Sequence, residues 1–172
     1  MSKLVTEISE AAIVDNDLVT KKRERVDLST VIKEIVEHYV DGNEFSKLKI
    51  TSSVQAKVFV NGLPDRLGQV VVNLLDNAVT FARPVGEVNV TLTKKWRKGV
   101  ILEIADSGPG IKPELTEVIF DRFYTSRKGT ATVENASGLG LAISKQIVEA
   151  HGGDITVEAS DLGGAKFTIA LN

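Results

Sequence analysis

The chain has 172 residues, 42% of them hydrophobic and 26% charged, a balance typical of one globular domain and not of a disordered segment. The net charge of −2 and the lack of cysteine argue against nucleic acid as a partner and exclude disulfide and thiolate chemistry. With no apolar run of about 18 residues and no signal-peptide pattern, we expect a soluble chain, with any membrane span of its parent protein outside it.

The first predicted element is a helix from residue 3 to about residue 22. Six positions follow the spacing of a helical seam: Leu4, Ile8, Ala11, Asp15, Leu18 and Lys22. The seam is shorter than three heptads and includes two polar residues, so we expect it to complete a helix or coil that begins upstream. The charged residues 21–25 that follow are predicted to form a solvated linker.

A second helix is predicted to begin at Asp27 or Ser29, both good N-cap residues. Its apolar face covers three turns and consists of Leu28, Val31, Ile32, Ile35, Val36 and Tyr39. His38 lies off that face, which favours an exposed structural histidine over a catalytic one. Short strands are predicted at residues 48–52 and 58–61.

The third predicted helix, which begins at Pro64, carries two different stripes. The apolar stripe predicts burial of Leu67, Val70, Val71, Leu74, Leu75 and Ala78. The neighbouring stripe is polar but uncharged, whereas exposed helix faces usually carry Lys and Glu; it consists of Gln69, Asn73, Asn77 and Thr80. Amide oxygens suit Mg²⁺, so this stripe is either a metal-binding face or a polar seam beneath a loop.

A predicted hairpin leads to the next candidate residue. Residues 87–93 alternate as a half-buried strand and connect, through a turn at 96–99, to an apolar strand that ends at Asp106. Gly108 and Gly110 follow at once. A buried carboxylate needs a partner and glycines let a ligand approach the backbone, although an ordinary surface turn has the same composition.

The segment after this turn contains a predicted lid. A short helix is expected over residues 113–119, and the aromatic residues within 120–124 have packing as their default role. Residues 125–137 are small, polar and without periodicity, which is typical of a functional lid. The sequence Gly138-Leu139-Gly140-Leu141 then opens a helix, whose free N–H groups can bind phosphate.

That last helix is predicted to end at Ala150, before two glycines. His151 suits the carbonyl end of the helix dipole and is expected to be structural. The chain then forms a predicted hairpin of residues 154–160 and 165–171, with the turn at Gly163-Gly164.

Three of these features together predict a nucleotide site: the amide stripe as metal ligand, Asp106 as base reader and the glycine-opened helix as phosphate cradle. A carboxylate accepts hydrogen bonds, so Asp106 would select the exocyclic amine of adenine over the carbonyl of guanine. A hydrogen bond to a charged group contributes roughly 1.5–3 kcal/mol. The chain contains no P-loop sequence.

The four motifs resemble, in order and spacing, the N box, first glycine box, F box and second glycine box of sensor histidine kinases. That family belongs to the gyrase, Hsp90, histidine kinase and MutL ATPase superfamily, and the sequence looks most like a proteobacterial member. The motifs are Asn73-Leu74-Leu75-Asp76-Asn77-Ala78, Asp106-Ser107-Gly108-Pro109-Gly110, Phe120-Asp121-Arg122-Phe123-Tyr124 and Gly138-Leu139-Gly140-Leu141.

The resemblance implies an α/β two-layer sandwich of the Bergerat type, with a mixed sheet, helices packed on one face and an added N-terminal helix. Residues 1–26 would be the end of a dimerisation and phosphoacceptor helix with its linker, and residues 27–172 the catalytic ATP-binding domain. By motif match, Asn77 would bind Mg²⁺ and Asn73 the metal or phosphate. The remaining ATP contacts would come from Asp106, Gly108, Gly110, Arg122, Gly138, Leu139 and Gly140.

Two positions depart from the family pattern. Thr80-Phe81 replaces a common Lys-Tyr pair, which removes a cation that faces phosphate; Arg83, Arg127 or Lys128 are candidates to replace it. Ala136 stands where the glycine run usually begins, so lid flexibility would differ.

The reaction implied is transfer of the ATP γ-phosphate to a histidine on a dimerisation domain outside this chain. ATP hydrolases of the superfamily place a general-base Glu where this chain has Asn73, and an amide cannot accept the proton. The alternatives are a degenerate nucleotide-binding module and a clamp-type ATPase. The expected partners are the chain's own phosphoacceptor domain and a response regulator; the chain itself is expected to be a monomeric cytoplasmic part of an inner-membrane sensor.

Overall fold

The computed structural model describes residues 3–42, 47–95, 99–124 and 138–172, and for residues 3–8 and 10 the backbone alone. The helices are α1 (Lys3–Thr20), α2 (Leu28–Asp41), α3 (Pro64–Ala82) and α4 (Gly140–Ala150). The strands are β1 (Glu24–Asp27), β2 (Leu48–Val54), β3 (Phe59–Gly62), β4 (Gly86–Lys95), β5 (Gly99–Asp106), β6 (Asp154–Ala159) and β7 (Ala165–Leu171). None of the helices in these ranges is long and apolar enough to cross a membrane.

Five strands form a mixed sheet in the order β2-β4-β5-β7-β6. β2 runs parallel to β4, and the other neighbours are antiparallel. Alternate residues of β5 are buried, namely Val100, Leu102, Ile104 and Asp106, because one face of the sheet is covered by α2, α3 and α4. The predicted two-layer α/β sandwich is therefore confirmed.

Local signals placed α2 and α3 correctly. Asp27 caps α2, where its Oδ1 accepts hydrogen bonds from the N–H groups of Ser29 (3.1 Å) and Thr30 (3.3 Å). α3 begins at Pro64, as predicted, and its apolar stripe is buried. Leu74 and Leu75 are fully buried, so α3 is the central helix of the core.

The predicted linker at residues 21–25 is partly wrong. Glu24 and Arg25 begin β1, which pairs antiparallel with β3, and the Arg25 guanidinium lies 3.9 Å from the ring centroid of Phe59. The charged side chains are exposed while Val26 is buried. The charges therefore predicted the exposure of these side chains correctly, but they did not predict that the backbone pairs with β3.

Two other predictions need correction. The predicted short helix over residues 113–119 is a pair of 3-10 turns, Pro113–Leu115 and Val118–Phe120. In α1, Asp15 of the predicted seam is exposed, whereas Val14 and Asp17 are buried. The packed face of α1 is thus rotated relative to the predicted seam.

The packed face of α1 is rotated because Asp17 forms ion pairs with Arg66 and Lys21. Its Oδ2 accepts a hydrogen bond of 3.0 Å from Arg66 Nε of α3 and lies 2.8 Å from Lys21 Nζ. Hydrogen bonds from Lys21 and Arg66 hold the pKa of Asp17 below its usual value. A carboxylate can be buried here because two cations accompany it. The division of the chain into residues 1–26 and 27–172 stays a prediction.

The two histidines lie where the sequence predicts, His38 on the exposed side of α2 and His151 at the carbonyl end of α4. His38 is exposed. His151 is 9% exposed; its Nε2 accepts from the Leu63 N–H (3.0 Å) and its Nδ1 lies 2.7 Å from the Ile147 carbonyl. These contacts require neutral imidazole, and burial lowers the pKa of His151.

Candidate active site

One end of the candidate site is the buried carboxylate of Asp106, at the last position of β5. Asp106 is 3% exposed, and its Oδ1 accepts hydrogen bonds from the N–H groups of Gly108 (2.7 Å) and Ala165 (3.3 Å). In the described part of the chain, Oδ2 accepts none. Burial raises the pKa of Asp106, and the two hydrogen bonds oppose that rise. One oxygen is therefore available to a donor from outside the protein.

Glycines surround this carboxylate because nothing larger fits. A Cβ on Gly164 would lie 2.1 Å from Asp106 Oδ1, and a Cβ on Gly108 would lie 2.8 Å from the same atom and 2.9 Å from Phe81 Cβ. Gly110 has a φ of +73°, which L side chains rarely adopt. Sequence reasoning assigned Gly164 only to a hairpin turn and missed its contact with Asp106.

The turn after Asp106 is also fixed to β4. Ser107 Oγ accepts from the Glu87 N–H (2.8 Å), and the Ser107 N–H donates to the Glu87 carbonyl (3.0 Å). These bonds extend the β4–β5 pairing one residue past the strand. The Asp106 end of the candidate site is thus held from β4, β5, β7 and the C-terminal end of α3.

The other end is a contact between α3 and α4. Asn73 Nδ2 donates hydrogen bonds to the carbonyl of Gly140 (3.1 Å) and to Ser144 Oγ (3.2 Å). Ser144 is fully buried and was not predicted as a site residue. The structure therefore brings the first and last of the four motifs into direct contact.

The other two amides of the stripe, Gln69 and Asn77, differ in their hydrogen-bond partners. Gln69 Oε1 accepts a 2.7 Å hydrogen bond from Arg66, the residue that binds Asp17, so Gln69 supports the packing of α1. Asn77 is half-buried, and no hydrogen bond of its side chain is found among the described residues. The whole side-chain amide of Asn77 is therefore available to a ligand.

Thr80 borders a different depression, a groove of about 820 Å³ between α2 and α3. Arg83, a candidate to replace the missing cation, lines the same groove, whereas none of the predicted ATP contacts does. Its lining is Glu34, Ile35, His38, Tyr39, Gly42, Ile50, Val72, Asp76, Val79, Thr80 and Arg83. The candidate site lies on the neighbouring face of α3, where Asn73 meets α4.

Gly138 joins the two described segments that flank the predicted lid. The Phe123 N–H donates to the Gly138 carbonyl (3.1 Å), and Gly138 has a φ of +73°. A Cβ there would lie 2.5 Å from the Tyr124 carbonyl oxygen, so Gly138 is required by the fold itself. Residues 125–137, the predicted lid with Arg127 and Lys128, lie outside the described residues.

Two further residues predicted to contact ATP, Arg122 and Leu139, differ in their exposure to solvent. Arg122 is exposed, and its Nη2 lies 3.3 Å from Gln146 Oε1 of α4. Leu139 is 2% exposed and belongs to the hydrophobic core, so its side chain faces the protein. Within the described ranges no group of three or more His, Cys, Asp or Glu residues could hold a metal ion.

The two ends lie along one face of α3. Asn73 contacts Gly140, and Phe81 contacts the turn at Gly108. Phe81 lies eight positions after Asn73 in the helix, a rise of about 12 Å. An elongated ligand with a hydrogen-bond donor at one end and an anionic group at the other suits this arrangement.

Comparison with known proteins agrees with this geometry. A model of the family described as histidine kinase-, DNA gyrase B- and HSP90-like ATPase matches residues 62–172. The sensor protein ChvG of Agrobacterium fabrum is 33% identical over 186 residues, which cover 99% of this chain and 31% of that protein. The chain thus spans about a third of that relative's length.

Solved structures show the same fold. A mycobacterial sensor histidine kinase, MprB, is 35% identical with a TM-score of 0.74, over 87% of this chain and 96% of that one. Full-length ShkA in complex with AMPPNP is 25% identical with a TM-score of 0.80, over 98% of this chain and 35% of that one. The chain belongs to the family of histidine kinase-, DNA gyrase B- and HSP90-like ATPases, as a catalytic ATP-binding domain of the sensor histidine kinase type.

Proposed function

We propose that this domain binds Mg-ATP between Asp106 and Asn73 and transfers the γ-phosphate to a histidine of a separate dimerisation domain. The observation that carries the proposal is the buried Asp106, whose Oδ2 has no donor among the described residues. Such an oxygen is costly to bury unless a ligand completes it. The AMPPNP complex of ShkA supports an adenine nucleotide as that ligand.

Asp106 sets the choice of base. Its Oδ1 is already occupied by two backbone N–H groups, so Oδ2 accepts the hydrogen bond from the exocyclic amine of adenine. Guanine presents a carbonyl at that position, which would leave two acceptors facing each other. Gly108 and Gly110 shape the wall of this pocket, because side chains there would fill it or strain the turn.

The triphosphate is expected to lie towards Asn73, Asn77 and the start of α4. Asn77 Oδ1 would hold Mg²⁺, an ion that prefers oxygen ligands, and the metal would supply positive charge against the transferring group. The N–H groups at Gly138, Leu139 and Gly140 face the phosphates, since a helix N-terminus favours anions. Arg122, which is exposed beside α4, supplies a cation.

The chemistry at Asn73 favours a kinase over a hydrolase. An amide cannot take a proton from an attacking water, and the NH₂ group of Asn73 is engaged with Gly140 and Ser144. Asn73 therefore activates no water, which favours retention of the γ-phosphate for a protein acceptor. Thr80 in place of the usual lysine is the one feature that favours the second candidate, a domain that only binds nucleotide.

The whole protein would supply the rest of the pathway. The acceptor histidine would belong to a dimerisation domain to which α1 connects, and a cognate response regulator would receive the phosphate. We further propose that the domain alone is monomeric, binds no nucleic acid and forms the cytoplasmic part of a membrane-bound sensor.

Phosphotransfer to a supplied acceptor domain tests this function. Labelled ATP and Mg²⁺ are incubated with the domain and with the parent protein's separate dimerisation domain, and acid-labile label on histidine is measured beside free phosphate. We expect labelled histidine, slow hydrolysis by the domain alone, and no transfer by Asn77→Ala, with adenosine binding kept. Steady hydrolysis without acceptor would indicate a clamp-type ATPase, and binding without transfer would indicate a regulatory module.

A further inference from the structure

Asn73 and Ser144 form a closed hydrogen-bonded triangle with the Gly140 carbonyl. Ser144 Oγ lies 2.8 Å from the Gly140 carbonyl oxygen, and Asn73 Nδ2 lies 3.1 Å from that oxygen and 3.2 Å from Ser144 Oγ. The carbonyl can only accept. Ser144 therefore uses its proton on Gly140 and presents a lone pair to Asn73.

This triangle fixes which way the Asn73 amide is turned. Both neighbours of the amide on the α4 side are acceptors, so the NH₂ group must face α4 and Oδ1 must face away from it. A flipped amide would place Oδ1 against the Gly140 carbonyl oxygen. In the described ranges, no residue donates a hydrogen bond to Asn73 Oδ1.

We propose that Ser144 is a positioning residue, which holds the Asn73 amide so that Oδ1 is presented to the metal and triphosphate. The inference rests on the proposed role of Asn73 in Mg-ATP binding. Ser144 itself is fully buried in α4 and does not touch the nucleotide. With a side chain that cannot accept, Asn73 keeps one of its two partners and rotates more freely.

The positioning role of Ser144 can be measured separately from its contribution to the stability of the domain. A serine that bonds back to the carbonyl four residues earlier slightly destabilises a helix, and alanine is the best helix former. Ser144→Ala should therefore leave the melting temperature of the unliganded domain unchanged or raise it. A serine that served only packing would not change the ratio of Mg-ATP to adenosine affinity.

Ser29 provides a matched control. It is also buried at 3% exposure; its Oγ donates to the Gln55 carbonyl (2.8 Å) and accepts from the Val58 N–H (2.9 Å). Ser29 thus makes one donated and one accepted bond, as Ser144 does, but in α2 and away from the site. Ser29→Ala should lower stability without changing nucleotide affinity.

The test is titration calorimetry of Mg-ATP and of adenosine with wild type, Ser144→Ala, Ser144→Thr, Asn73→Ala and the double variant Asn73→Ala/Ser144→Ala. Loss of one neutral hydrogen bond predicts roughly threefold to tenfold weaker Mg-ATP binding by Ser144→Ala, unchanged adenosine binding, and recovery in Ser144→Thr. The double variant should bind no more weakly than Asn73→Ala, because Ser144 acts through Asn73.

The outcomes separate the two levels of the argument. If wild type binds no Mg-ATP, the proposed function fails and this inference fails with it. If Asn73→Ala weakens Mg-ATP binding but Ser144→Ala does not, or if the two effects add in the double variant, the positioning role of Ser144 is wrong and the proposed function stands.

Discussion

The two ends of this site, the proposed base end around Asp106 and the proposed phosphate end around Asn73, are built in different ways. Around Asp106, the turns at Gly108 and Gly164 approach so closely that a Cβ on Gly164 would lie 2.1 Å from the Asp106 side-chain Oδ1 and 2.5 Å from the backbone nitrogen of Gly108. At Asn73, a Cβ on Gly140 would lie 3.8 Å from the nearest atom. The base end is fixed by main-chain packing, whereas the phosphate end is held by side-chain hydrogen bonds between two helices.

This difference separates stability from binding. Added bulk at the base end disturbs the junction of β5, β7 and α3 and should affect both folding and affinity, whereas an isosteric change of Asp106 should affect affinity alone. Changes at the phosphate end leave the sheet untouched and should affect affinity alone. Substitutions at each end therefore test the contrast.

The largest effect is expected for Gly164→Ala. Its Cβ overlaps Asp106 and the Gly108 nitrogen, and overpacking of this kind costs about 3 kcal/mol, or a fall in melting temperature of roughly 6–12 °C. ATP binding should be lost as well. Gly68→Ala is the control, because a Cβ there meets nothing closer than 3.8 Å; it should raise stability by about 1 kcal/mol. Calorimetric melting that ranks the variants in the opposite order would contradict the packing argument.

Asp106→Asn should separate binding from folding. The amide oxygen still accepts from Gly108 and Ala165, while the NH₂ group meets the adenine amine donor to donor. We expect ATP affinity to fall roughly tenfold to a hundredfold and the preference for ATP over GTP to shrink. The unliganded variant should melt no lower than wild type, since burial raises the pKa of Asp106 and its ionised form opposes folding at neutral pH.

The same raised pKa predicts how wild-type binding depends on pH. Protonated Asp106 loses an acceptor, so affinity for ATP should fall as the pH decreases towards this pKa. Affinity of Asp106→Asn should change less over the same range. Equal ATP affinity of wild type and variant at neutral pH would show that Asp106 does not read the base.

Gly140→Ala is expected to have the smallest effect and only on binding. Its Cβ has room within the protein, and alanine favours the first turn of α4, so the unliganded domain should be as stable as wild type. The methyl group would enter the space beside Asn73 that we assign to the triphosphate. We expect about fivefold to tenfold weaker Mg-ATP binding with adenosine unaffected; a loss of stability instead would place Gly140 with the base end.

The sequence predicts this molecule best where the signals are local. The cap at Asp27, the start of α3 at Pro64 and the buried stripe through Leu74 follow from spacing within one helix. The end of β5 at Asp106 follows from one apolar run. These features depend on neighbours a few residues away, and each was predicted correctly.

The features that were missed depend on distant partners. β1 forms because Val26 pairs with Val60, and the charged residues around Val26 give no sign of it. Gly164 becomes a candidate site residue only because the fold brings it to Asp106. Ser144 does so because the fold brings it to Asn73, which is 71 positions away in the sequence. From residue type alone, Gly164 is predicted only as a turn residue and Ser144 only as a helix residue. Their roles in the site follow from contacts with residues that are distant in the sequence.

Thermal melting of the domain with and without Mg-ATP tests the central claim most directly. At 100 times Kd, binding to the folded state should add about 2.7 kcal/mol, an upward shift in melting temperature of roughly 5–11 °C. The account predicts that shift with Mg-ATP and a smaller one with Mg-GTP. No shift at millimolar Mg-ATP, or an equal shift with both nucleotides, would contradict it.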